Sequence, residues 1–163
     1  ARDLLVWSQR GANGIDGLIA GAAGAAAAAE RPAALLLGDV SALHDAGALA
    51  VAREAERPLA IVVIDNGGGR IFERLPVASS DAVDPADWSV WLTPPRVDFE
   101  ALARAFAIPH VRARDAAGAR AALADALGRT GATLVHVVVD GEHTIAAHRE
   151  YWAEVDRRVA SLP

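Results

Sequence analysis

Residues 59–69 read LAIVVIDNGGG. Six apolar residues, four of them β-branched, run without interruption and stop at an acid, an amide and three glycines. A continuous β-branched run of this length suits a strand with both faces buried, as in a parallel sheet. The three glycines after it allow positive φ and close approach of backbone to a ligand. One crossover earlier, AALLLGDV (residues 33–40) repeats the arrangement: an apolar run, then Gly38 and Asp39. The intervening residues 41–56 carry an apolar stripe of Leu43, Ala46, Leu49, Ala50 and Val51, which predicts a helix.

Working outward, LLVWS (residues 4–8) reads as a short strand and residues 16–29 as an Ala-rich helix. Downstream, helices are predicted over 99–106, 115–127 and 143–159, and strands over 110–112 and 133–139. Strands alternating with helices imply an α/β fold, a parallel sheet covered by helices on both faces. The irregular segment 76–97 holds four prolines together with Trp88 and Trp91. So long a loop suits a lid over a pocket, an anchor to the sheet or a contact with a partner subunit.

Composition limits the chemistry. The 163 residues carry a formal charge of -5, and all 16 basic residues are Arg. These are scattered, so no basic stripe argues for nucleic acid. The absence of Cys excludes disulfides, thiolate metal sites and a Cys nucleophile. The uncharged stretch 17–29 would span about 20 Å as a helix, short of a bilayer core of roughly 30 Å. With no signal-peptide pattern, a cytoplasmic location is expected. The chain lacks Met even at position 1, which reads as one domain cut from a larger protein.

In open α/β sheets, ligands collect at the carboxyl ends of the strands. Asp39 and Asn66 each follow a strand, and 26 residues lie between them. Neighbouring strands are about 4.8 Å apart, so two such side chains can converge on one cation. A carboxylate, an amide oxygen and a main-chain carbonyl suit Mg²⁺, with phosphate and water completing its shell. Read singly, Asp39 is also a helix cap and the glycines an ordinary turn.

Gly38-Asp39 followed at this interval by Asn66 resembles the diphosphate motif of thiamine-diphosphate enzymes. The segments SQRGANGIDGL, GDVSALHD and NGGGRIFERLP, in that order, are similar to the C-terminal domain of one branch. That branch is the MenD family of 2-succinyl-5-enolpyruvyl-6-hydroxy-3-cyclohexene-1-carboxylate synthases. The resemblance is close over residues 8–76 and looser beyond.

The resemblance implies that Asp39, Asn66 and the Gly68 carbonyl ligate Mg²⁺ or Mn²⁺. It places Gly38, Val40 and Ser41 along the diphosphate and Ile15 under the cofactor. Arg10 would take a substrate carboxylate. Ile71, Phe72 and Leu75 would form an apolar wall, Ile71 also touching cofactor, although all three could equally be core. The implied substrates are 2-oxoglutarate and isochorismate, joined by decarboxylation and carboligation in menaquinone biosynthesis. The activating glutamate of this family belongs to another domain, reached across a homodimer or tetramer interface. Nothing in this chain matches it, so the domain alone is expected to be inert. Asp65 departs from the second Asn that relatives often carry and is expected to point away from the metal. Arg70 and Arg74 read as solvated, and His136 as a satisfied core residue. An acetolactate-synthase-like carboligase and a non-catalytic Rossmann-like module are the rival readings; no Gly-x-Gly-x-x-Gly follows the first strand.

Overall fold

The computed structural model describes residues 4–9, 14–79, 83–84 and 87–161. Four parallel strands stand in the order β1-β2-β4-β3. They are β1 (Ala33–Gly38), β2 (Leu59–Asp65), β3 (His110–Ala113) and β4 (Ala132–Val138). The helices are α1 (Leu18–Ala29), α2 (Asp39–His44), α3 (Leu49–Ala52), α4 (Trp88–Leu92), α5 (Phe99–Ala105), α6 (Ala116–Leu127) and α7 (Gly141–Ala160).

The central pair accounts for the apolar runs. In β2 and β4 the two-residue side-chain period sends alternate residues to opposite faces. Leu59, Ile61, Val63 and Leu134 meet α1, α3 and α5 on one face. Ala60, Val62, Val135 and Val137 meet α6 on the other. Burying each of the larger aliphatic side chains stabilises the fold by about 1.5–3 kcal/mol. The chain passes from β2 over β4 to β3 and then returns. With right-handed crossovers, that reversal puts α6 on the face opposite α5.

Several local expectations are corrected. Residues 4–8 form no strand: Leu4, Val6 and Trp7 are exposed and pair with no ladder. The apolar run was compatible with a strand, but no described strand lies beside it. The strand β1 is an edge strand rather than a buried one, with Leu37 buried and Leu36 71% exposed. The helix predicted after Asp39 is broken into α2, a 3₁₀ turn (Ala46–Ala48) and α3.

That break has a use. The helix α1 begins after Gly17, whose φ of 64° and missing side chain give no cap. Asp45, at the break, supplies it: its Oδ2 accepts from Ile19 N at 2.6 Å and from Ala20 N at 3.4 Å. Asp98, Asp115 and Asp140 cap α5, α6 and α7 locally. No helix among the described residues is long and apolar enough to cross a membrane.

Two stability predictions follow from these caps. Replacing Asp45 by Ala should cost about 1 kcal/mol, read as a lower urea midpoint with unchanged slope. The Asp140 carboxyl lies below its ordinary value of 3.8, chiefly through the His143 N–H and then the Glu142 N–H. Its contribution should therefore be complete above pH 3.8 and disappear as the pH falls through the depressed folded value. Protection factors of the Glu142 and His143 amides, corrected for the intrinsic exchange rate at each pH, should fall only in that acid window.

Candidate diphosphate and metal site

Parallel pairing aligns the ends of β1 and β2, with Gly38 opposite Ile64. Asp39 and Asn66 thus follow adjacent strand tips, as the spacing predicts. Asp39 opens α2 and is 2% exposed. Its Oδ1 accepts from Val40 N at 2.9 Å and its Oδ2 from Gly68 N at 2.7 Å. The carboxylate therefore stitches the first tip to the glycine turn of the second. Burial is the main reason that its pKa is raised above 3.8, and the nearby Asp65 charge adds to the rise; the two N–H donors oppose it.

The glycine turn has little freedom. Gly67 has φ 80° and Gly68 φ 133°; Gly69 has an ordinary negative φ. A Cβ on Gly68 would collide with the Leu92 carbonyl. That same carbonyl accepts from Gly69 N at 2.5 Å. The Gly68 carbonyl accepts from Arg70 N at 2.9 Å. A carbonyl oxygen has two lone pairs, so one remains available to a ligand.

Asn66 carries the most telling atom: its Oδ1 is buried with no hydrogen-bond partner. An unpaired buried acceptor costs about 1–3 kcal/mol, so a native site that keeps one invites a ligand in that place. His110 Nε2 is the other such atom among the described residues. Burial is the main reason that the His110 pKa is lowered, with the His136 ring adding to it. A buried carboxylate, an orphan amide oxygen and a free carbonyl lone pair suit a hard divalent cation. No group of three His, Asp or Glu residues positioned for a metal exists among the described residues. A cation here would depend on these mixed oxygen donors.

Asp65 is held by several partners. Its charge acts on Asp39, its Oδ1 accepts from Gly67 N at 3.2 Å, and its Oδ2 lies 2.8 Å from His136 Nε2. His136 is thereby the satisfied, buried histidine that its strand position implied. Arg70 is not solvated: its side chain is 16% exposed and bonded to Asn66 and Glu73. Neither contact has a signature in residue spacing, because each depends on which loop lies over which strand tip.

The remaining predicted residues fall around this centre. Gly38 precedes α2, and Val40 and Ser41 occupy its first turn. Ile71 is 66% exposed, Leu75 46% exposed and Phe72 half-buried, so these three are not core. Trp91 packs edge-on against Phe72, with ring centroids 6.0 Å apart, and stacks on Trp88 at 5.9 Å. The Trp segment therefore braces the glycine turn rather than the sheet. Ile15 is 37% exposed in the turn before α1. Arg10 lies outside the described residues.

Known proteins resemble this chain. Residues 5–137 match the family model described as thiamine pyrophosphate enzyme, C-terminal TPP binding domain. The chain is 44% identical to 2-succinyl-5-enolpyruvyl-6-hydroxy-3-cyclohexene-1-carboxylate synthase of Sorangium cellulosum (strain So ce56), over 99% of this chain and 27% of that protein. It is 36% identical to the synthase of the same name from Halobacterium salinarum (strain ATCC 29341 / DSM 671 / R1), over 95% of this chain and 26% of that protein. Among solved structures, a thiamine diphosphate-dependent 4-hydroxybenzoylformate decarboxylase of Rhodococcus jostii RHA1 superposes with a TM-score of 0.62 at 26% identity. The superposition covers 73% of this chain and 22% of that one. The chain thus spans about a quarter of the length of these curated relatives. By its match over residues 5–137, the chain belongs to the thiamine pyrophosphate enzymes, as their C-terminal TPP-binding domain.

Proposed function

We propose that the joined tips of β1 and β2 grip thiamine diphosphate through a Mg²⁺ or Mn²⁺ ion, within a carboligase of menaquinone biosynthesis. The observation that carries the cation is the orphan Oδ1 of Asn66, on the turn that the buried Asp39 carboxylate holds. The Asp39 side chain, the Asn66 side chain and the Gly68 carbonyl are the protein ligands. Gly38, Val40 and Ser41 line the diphosphate, where main-chain N–H groups favour negative charge. Ile15 and Ile71 flank the cofactor.

The relatives at 44% and 36% identity support the synthase reading over an acetolactate-type one. In that reading the full-length protein decarboxylates 2-oxoglutarate and transfers the succinyl unit to isochorismate, as a transferase. When bound, thiamine diphosphate supplies the electron sink for that chemistry. The residues of this chain supply anchoring and shape. Arg10 receives a substrate carboxylate, for which a planar guanidinium is suited. Ile71, Phe72 and Leu75 form the apolar wall, and their exposure is what a wall facing a ligand requires.

No residue of this chain takes the role of the activating acid. We assign that role to a glutamate on a preceding domain, contributed across a homodimer or tetramer interface of a cytoplasmic enzyme. The domain alone is accordingly inert.

Calorimetry on the full-length protein tests the site. Asp39→Ala should abolish Mg²⁺-dependent binding of thiamine diphosphate, whereas a non-catalytic module would bind its ligand unchanged. Turnover should require 2-oxoglutarate with isochorismate and not occur with pyruvate; the reverse would point to an acetolactate-type enzyme. Gly68→Ala should destabilise the protein by about 2 kcal/mol, through its φ and the Leu92 collision, measured by urea unfolding without ligand.

A further inference from the structure

Arg70 lies at the centre of a cluster that the cofactor reading does not use. Its Nε donates to the Asn66 carbonyl at 2.8 Å. Its Nη1 donates to both oxygens of Glu73, each at 3.0 Å. Arg70 and Glu73 side chains are each only 16% exposed, so this ion pair is far better shielded than the surface pairs on α7. Above it sits Gly141, the first residue of α7. A Cβ there would collide with Arg70 Nε and Cζ and with the Asn66 carbonyl. Gly141 is buried, and its negative-φ helical position gives no conformational reason for glycine. The reason is the space taken by the guanidinium.

We propose that Arg70 is the positioning residue of the cation site: clamped by Glu73 and roofed by Gly141, it fixes the Asn66 main chain so that the orphan amide oxygen stays aimed at the cation. The inference rests on the reading of Asn66 as a ligand. The physical argument is one of freedom. Asn66 leaves β2 just before two glycines of positive φ, a residue type that does not itself restrict the backbone, so the aim of Asn66 depends on contacts made from outside. A charge-assisted bond to its carbonyl removes that freedom. The planar fork can address the carbonyl through Nε and the carboxylate through Nη1 at once; an ammonium group has no such fixed pair of directions.

The test is Mn²⁺ binding followed by electron paramagnetic resonance, in the full-length protein with thiamine diphosphate present. Loss of an outer partner of a metal ligand typically weakens affinity about 10–100-fold. Arg70→Ala and Gly141→Ala should each raise the Mn²⁺ Kd at least about tenfold. Arg70→Lys should recover only part of the loss, and the two Ala substitutions together should cost less than the sum of their separate effects. Arg74→Ala, at an exposed neighbour, should change nothing. The Mn²⁺ spectrum at saturation should broaden in the Arg70 variants, which a purely structural role would not produce once the fold is intact by circular dichroism.

Asn66→Ala separates the two layers of the argument. If it binds Mn²⁺ like wild type, the ligand reading fails and this proposal with it. If Asn66→Ala loses binding but Arg70→Ala, Arg70→Lys and Gly141→Ala do not, only the role of Arg70 is overturned. Should Arg70→Ala fail to fold, Gly141→Ala decides alone, because it keeps the guanidinium and displaces it.

Discussion

A carboxylate buried to 2% exposure is the constraint around which the site is organised. Removing an ionised acid from water is costly unless hydrogen bonds or an opposite charge compensate. Asp39 obtains two N–H donors, one from its own helix and one from the turn after the next strand. These do not suffice, because its pKa remains raised, first by burial and then by Asp65. Two acids held this close repel when both are ionised, so either a shared proton or a bound cation relieves them. In the reading proposed above, the cation is what offsets that repulsion, consistent with perturbed carboxylates gathering at functional sites.

The turn that carries Asn66 is held from several directions. Gly68 fits only because it has no side chain, since the Leu92 carbonyl occupies that space and bonds to Gly69. Trp88, Trp91 and Phe72 stack behind this contact. Arg70 and Gly141 close the opposite side. Val139 N also donates to the Asp65 carbonyl, tying the end of β4 to the same place. Three strand tips and one helix start therefore converge on five residues. Orphan oxygens keep their aim only in such an over-determined turn, because otherwise the backbone would relax to pair them.

Much of this was readable before any coordinates. The strands β2 and β4 announce themselves by continuous apolar runs, which only a doubly buried strand requires. The 26-residue interval between Asp39 and Asn66 is a crossover length, and the sheet order confirms that their strands are neighbours. What escaped were contacts set by tertiary approach. The Asp45 cap on α1 reaches back across 26 positions, and the Asp65–His136 bond spans 71. Arg70 looked solvated because a single arginine after three glycines carries no burial signal. One clue was present: a glycine at position 141, opening a helix with no turn to make, marks a place where something large comes close. The LLVWS segment failed in the opposite way. Its composition suits a strand, but strands exist only as paired neighbours, and pairing is not a local property.

The same logic bears on the exposed apolar surface. Leu4, Leu5, Val6 and Trp7 are all more than half exposed, and so are Leu36 at the β1 edge and Tyr151 and Trp152 on α7. Only Gly141 and Ile145 of the twenty residues of α7 are buried. An isolated soluble domain rarely leaves so many large side chains in water. A domain that spans about a quarter of its relatives' length has elsewhere to put them. The cation site fits that division. In the reading proposed here, one end of the cofactor is gripped by the rigid turn within this domain, whereas Ile71 and Leu75, of the proposed apolar wall, stand exposed beside it. In the reading proposed here, that wall is half of a pocket whose other half belongs to the rest of the enzyme. The proposed anchoring residues all lie on one sheet, because a diphosphate–metal grip needs only two adjacent strand tips. The reacting end, in the same reading, needs a second surface, which the exposed apolar residues around it are free to meet.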